Sequence, residues 1–154
     1  MKKLSFLIVF LLFISCHSQT TYSEEQLKRQ SEKILEIQKN NKTARSNNRV
    51  FVKDIVKNLN LKIISFGISP NENHRADPNK ADLLRLKFYS NKEFRYKKDN
   101  KIQLYTINIY FKKAQDFEPI LKIARKYGGK WNDEVADFFA DIEVDSVTVP
   151  MVRY

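Results

Sequence analysis

The sequence predicts a single α+β domain, an antiparallel sheet of about four or five strands with helices packed on one face. Leu84, Leu86 and Phe88 alternate with Arg85, Lys87 and Tyr89, and Tyr105, Ile107, Ile109 and Phe111 recur with the same period of two. That period belongs to strands with one buried face. From Ala114 to Gly128 the apolar residues Phe117, Ile120, Leu121, Ala124 and Tyr127 recur instead at helical spacing, which marks an amphipathic helix. Strand and helix segments come in mixed order, without the strand-helix-strand repeat that builds a parallel sheet.

The chain opens with Lys2 and Lys3, followed by a run from Leu4 to Ile14 that is apolar except at Ser5, and then by Ser15 and the only cysteine, Cys16. A charged start, a short apolar core and small residues at its end read as an export signal. Eleven helical residues span only about half of a ~30 Å hydrocarbon core. Phe13-Ile14-Ser15-Cys16 resembles the lipobox of bacterial lipoproteins, with Phe13 where Leu is usual. The resemblance implies cleavage before Cys16 and acyl chains on its sulfur. Cys16 and Ser18 also make a small-x-small site for ordinary cleavage before Gln19. His17 stands where Asp would resemble an inner-membrane retention signal, so the resemblance implies the outer membrane.

The expected organisation is a signal over residues 1–15, a lipid-anchored tether over 16–22 and one domain over 23–154. A lipidated Cys16 leaves no thiol for a disulfide, a metal or nucleophilic catalysis. The chain carries 28 basic and 18 acidic side chains. Their distribution is uneven: the basic excess lies between residues 17 and 113, and the segment 114–154 is net acidic. Export takes nucleic acid away as a partner. An acidic protein or an anionic envelope polymer is left, besides the membrane reached through Cys16.

Ser23 and Gln26 have the spacing of a capping box, and Glu24 to about Lys42 reads as a helix with a thin apolar stripe of Leu27, Ile34, Leu35 and Ile37. A stripe so thin suits a solvated helix lying on the domain, or a spacer or partner-binding helix. Residues 40–49 read as a linker, and Val52, Ile55, Val56 and Leu59 predict a short helix over about 50–58. Leu61 to Ile68 predicts a buried strand with a bulge at Ile63-Ile64. Residues 69–80 form the longest predicted loop.

After the strand from Leu84, Ser90 to Glu93 is expected to turn, Phe94 and Tyr96 to begin a second strand, and Asp99-Asn100 to turn again before Ile102–Phe111. Asp116 is expected to cap the next helix and Gly128 to end it. Asn132 is placed to cap a short helix over 133–139, and Ile142 to Val149 to form the closing strand.

The candidate sites follow from this layout. Arg85, Lys87, Arg95, Lys97 and Lys98, with Tyr89 and Tyr96 among them, form a basic aromatic surface that suits partner binding. His74, Arg75 and Asp77 share the long loop and offer the alternative reading, a small hydrolase or other envelope enzyme. Asp141, Glu143 and Asp145 alternate on a predicted strand and could hold a hard cation such as Ca²⁺. With two histidines and three glycines in the chain, no zinc spacing or phosphate loop is present. No cofactor is expected, and a non-catalytic binding or assembly protein is the leading reading.

Overall fold

The computed structural model describes residues 22–43, 49–70 and 77–152. Its first helix, α1 (Glu24–Thr43), starts as its sequence predicts. Gln26 N–H donates to Ser23 Oγ at 3.2 Å, and Ser23 N–H donates to Gln26 Oε1 at 2.9 Å. Two otherwise orphaned donors are thereby satisfied. The thin stripe suffices because a polar residue completes it: Leu27 and Ile34 are buried, and Gln30 between them accepts the Asn60 N–H at 2.8 Å. Just before α1, the Tyr22 hydroxyl accepts the Lys62 N–H at 2.8 Å while its ring meets Phe88 edge-on. The helix therefore lies on the domain.

Helix α2 (Val52–Lys57) buries Val52 and Ile55. Its leading turn is stitched to the far end of the chain, because Val52 N–H donates to the Ile142 carbonyl and Val144 N–H to that of Val50. Strands β1 (Ser65–Pro70), β2 (Lys80–Lys87), β3 (Leu104–Asp116) and β4 (Val144–Thr148) pair in that order, all antiparallel. A fifth, β5 (Met151–Val152), pairs with the start of β3. The predicted α+β sheet is thus present.

Register explains the core. Ile68, Leu84, Ile109 and Val147 stand opposite one another across the four strands, as do Phe66, Leu86 and Ile107 across three. Helix α4 (Phe117–Tyr127) sends Ile120 into this cluster, and α5 (Asp133–Phe139) sends Val135 and Phe139. Phe139 is fully buried, stacked on Trp131 at 6.3 Å and on Phe111 at 6.3 Å, with Phe66 edge-on at 5.8 Å. Asn132 caps α5 by accepting the Val135 N–H, and Gly128 closes α4 in the left-handed conformation, both as expected.

Several boundaries differ from the sequence reading. The segment Phe94–Tyr96 is helical, part of α3 (Asn91–Asp99), because Ser90 Oγ accepts the Glu93 N–H and starts a helix where a strand is predicted. Strand β1 begins at Ser65 and runs through Pro70 into the predicted loop. Its irregularity falls between Ser69 and Pro70 rather than at Ile63-Ile64, where a proline without an N–H disturbs the ladder. Strand β3 continues through Asp116, whose carboxylate pairs with Lys80 instead of capping α4. The first N–H of α4, on Phe117, is taken by the Asn79 carbonyl. Ile123 rather than Leu121 completes the apolar face of α4 against the core.

Candidate functional site

On the second face of the sheet, register sets two largely polar rows beside the buried Leu83 and Leu104. Gly67, Arg85, Asn108 and Thr148 form one row across the four strands, and Ser65, Lys87 and Thr106 form the next. Arg85 Nε donates to Asn108 Oδ1 at 2.9 Å, and Lys87 Nζ donates to Asn91 Oδ1 at 3.1 Å. The Lys87 ammonium also lies 4.7 Å from the Phe94 ring centroid, within cation-π range. Gly67 makes room for it, since a Cβ there would come within 3.2 Å of Lys87 Nζ. Helix α3 therefore sits over the end of β2.

Lys97 of α3 pairs with Glu93, but the cations at the end of β2 have no carboxylate partner among the described residues. Lys53, Lys80, Lys112 and Lys126 each pair with an acidic partner, namely Asp141, Asp116, Glu143 and Glu134. Among the described residues, Arg85, Lys87 and Arg95 have none, and the acceptors for Arg85 and Lys87 are neutral amides. Burial pushes the Lys87 pKa below the usual lysine value, and the charges of Arg85 and Arg95 push it further the same way. An anion approaching this face meets a field that the fold leaves uncompensated.

Helix α3 divides the predicted surface into an inner and an outer part. Tyr89 is buried, its carbonyl accepting the Ser65 hydroxyl at 2.6 Å. Lys97 lies 5.0 Å from the Tyr89 ring and 3.9 Å from Glu93. Lys87 and Tyr89 thus lie beneath the helix and not on an open hairpin face, because residues 91–99 coil back over β2. Lys92, Arg95, Tyr96 and Lys98 point outward, with Tyr96 60% exposed. The lateral spacing of Arg95 and Lys98, and of Lys92 and Tyr96, is that of neighbours on a helix surface.

The other sequence candidates are placed differently. Cys16, His74 and Arg75 lie outside the described residues. Asp77 is exposed and accepts the Asn79 N–H at 2.9 Å, which locks its own turn. Asp141 pairs with Lys53 at 2.7 Å and Glu143 with Lys112 at 2.6 Å, while Asp145 is exposed on β4. The lysines supply the counterions that three alternating carboxylates would otherwise seek. Hydrogen bonding from Lys112 holds the Glu143 carboxyl below its usual pKa. Among the described residues no group of three or more His, Cys, Asp or Glu could hold a metal ion. Nor is any helix there long and apolar enough to cross a membrane.

Two residues that sequence reading passes over organise this region. Asn91 accepts from Lys87 and donates through Nδ2 to the Gly128 carbonyl at 3.1 Å, so one amide joins β2 to the end of α4. Asn108 holds the Arg85 guanidinium. Ser90 and Glu93, three residues apart, carry the local signal for the helix that bears Asn91. No family model, curated protein or solved structure matches the chain.

Proposed function

We propose that the chain is an exported lipoprotein, held in the envelope by acyl chains on Cys16 with the outer membrane as the favoured destination, and that it is a non-catalytic binding or assembly protein. The partner is an acidic protein that docks on α3 and the adjoining cationic face. The observation that carries the partner reading is the trio Arg85, Lys87 and Arg95, brought together without a carboxylate among the described residues. Holding like charges together raises the free energy of the unbound protein, and an acidic partner relieves that repulsion. Arg95 and Tyr96 supply the contact types enriched in protein interfaces.

The anchor reading rests on the lipobox resemblance of Phe13-Ile14-Ser15-Cys16. Two or three acyl chains, at ~0.8 kcal/mol per buried CH₂, make attachment effectively permanent. Mass spectrometry of the mature amino terminus tests it. The expected species is a lipidated chain beginning at Cys16, and an unmodified chain beginning at Gln19 would refute the anchor. Crosslinking in intact envelopes followed by affinity capture tests the partner. An acidic protein crosslinked to α3 is expected, whereas capture of envelope polymer alone would overturn the protein assignment.

A further inference from the structure

A cleft of about 450 Å³ opens on the side of α3 next to β1, between the segment 62–65, the first turn of α3 and the segment 128–131. Its volume falls within the range typical of small-ligand sites. Three lysines line it, Lys62, Lys92 and Lys130, all exposed, and none of its ten lining residues is acidic. Among the described residues none of the three is ion-paired, in contrast to Lys53, Lys80, Lys112 and Lys126. Ile64 and Trp131 also line the cleft and give it apolar character.

The walls are held in place by the backbone. Trp131 N–H donates to the Ile64 carbonyl at 3.1 Å and Phe66 N–H to that of Gly129 at 2.9 Å, so segment 129–131 runs along the open edge of β1. Asn91 fixes the α3 side through its bond to the Gly128 carbonyl. Gly129 has φ +71, and a Cβ there would lie 2.7 Å from Asn91 Nδ2, so the two walls approach as closely as they do only because residue 129 is glycine. A pre-formed cleft loses little freedom when it is filled.

We propose that this cleft binds a small amphiphilic phosphate, its anionic group held by Lys62, Lys92 and Lys130 and its apolar body laid against Trp131. Three point charges favour a dianion over a monoanion, and lysine binds phosphate as a point charge. That apolar character is the reason for an organic phosphate rather than the bare ion. Lys92 stands on both this cleft and the α3 surface that faces the acidic partner, but Lys62 and Lys130 belong to the cleft alone and Arg95, Tyr96 and Lys98 lie outside it, so variants at those residues let either assignment fail without the other.

The chain has one tryptophan, so intrinsic fluorescence reports on this cleft directly. The probes are octyl phosphate and phenyl phosphate, with inorganic phosphate and octyl glucoside isolating the charge and the apolar body. One of the two organic phosphates is expected to bind at one site per chain, about tenfold or more tighter than inorganic phosphate and octyl glucoside. Preference for octyl phosphate assigns a lipid-like source, and preference for phenyl phosphate a soluble one. The variant K62Q/K92Q/K130Q should lose about tenfold or more in affinity for the organic phosphate, with an unchanged thermal melt. If that variant fails to fold, K130Q alone should still weaken binding. Equal binding by octyl glucoside, equal binding by the folded lysine variant, or no change in Trp131 fluorescence would overturn the proposal.

Discussion

The Lys87 ammonium lies 4.7 Å from the centroid of the Phe94 ring, which ties the last residue of β2 to a residue seven positions on, in the helix that follows. The contact turns a residue that alternation places on an open face into the seat of α3. It also gives α3 an orientation: Phe94 and Lys97 face inward, and Arg95, Tyr96 and Lys98 are left to solvent.

Lys87 carries a prediction about pH. Its folded pKa is lowered from 10.5, by burial first and by Arg85 and Arg95 second. Between the folded and unfolded values the folded state binds fewer protons, so stability rises with pH there. The cost of the buried charge is full below the folded pKa and disappears as pH approaches 10.5. Lys87→Met is therefore expected to melt at or above the wild-type temperature at pH 7, and wild type to gain on it as pH rises. A variant melting well below wild type at pH 7 would show that the contacts to Asn91 and Phe94 outweigh the burial of charge.

Phe139 tests the core. It is fully buried and ringed by Phe66, Phe111, Trp131 and Phe138. Phe139→Ala should lower stability by about 3–5 kcal/mol in denaturant titration, through lost burial and the cavity left behind. Leu35→Ala, at a position 45% exposed on α1, should change stability by only about 0.5 kcal/mol or less.

Gly128 and Gly129 separate conformational strain from close approach. Both have positive φ, but a Cβ on Gly128 meets nothing within 4 Å, whereas one on Gly129 meets Asn91 Nδ2 at 2.7 Å. Gly128→Ala should cost about 1–2 kcal/mol for the left-handed backbone alone. Gly129→Ala should cost more, and Asn91→Ala in the same chain should recover part of the difference. Equal losses at the two glycines, measured by thermal melts, would mean that the approach of Asn91 is not tight in solution.

Asn132 tests the short helix α5. Its side chain accepts the Val135 N–H at 2.9 Å. Asn132→Ala should cost about 1 kcal/mol and Asn132→Asp much less, since Asp caps as well as Asn. Chemical denaturation of the two variants distinguishes capping from a general intolerance of change at this position.

Legibility in the sequence varies with how local the deciding interaction is. Helix α5, its Asn132 cap and the Gly128 stop are read correctly because each rests on contacts within four residues. The alternating apolar faces of β2 and β3 are legible because the period of two shows within each strand, although the pairing that uses it joins apolar residues more than twenty positions apart. Helix α3 is not, because Phe94 and Tyr96 two residues apart imitate a strand, and the contrary signal in Ser90 and Glu93 is confined to one turn. Asp116 illustrates the other limit. Its spacing marks a cap, but Lys80, thirty-six residues away, takes its carboxylate. The basic surface is legible in composition, yet its division into buried Tyr89, half-buried Lys87 and outward Arg95, Tyr96 and Lys98 depends on that unread helix.

The central claim is that the outward face of α3 recognises an acidic partner, and the most direct measurement is capture of the crosslinked partner from solubilised envelopes across a series of salt concentrations, with wild type beside an Arg95→Ala, Tyr96→Ala, Lys98→Ala variant. Exposed charges act over a Debye length of ~8 Å at physiological ionic strength. Capture by wild type should therefore weaken as salt rises, and the variant should capture less at low salt through slower association, with an unchanged melting temperature. If the variant captures as much as wild type at every salt concentration, the cations of α3 serve solubility alone and the claim is wrong.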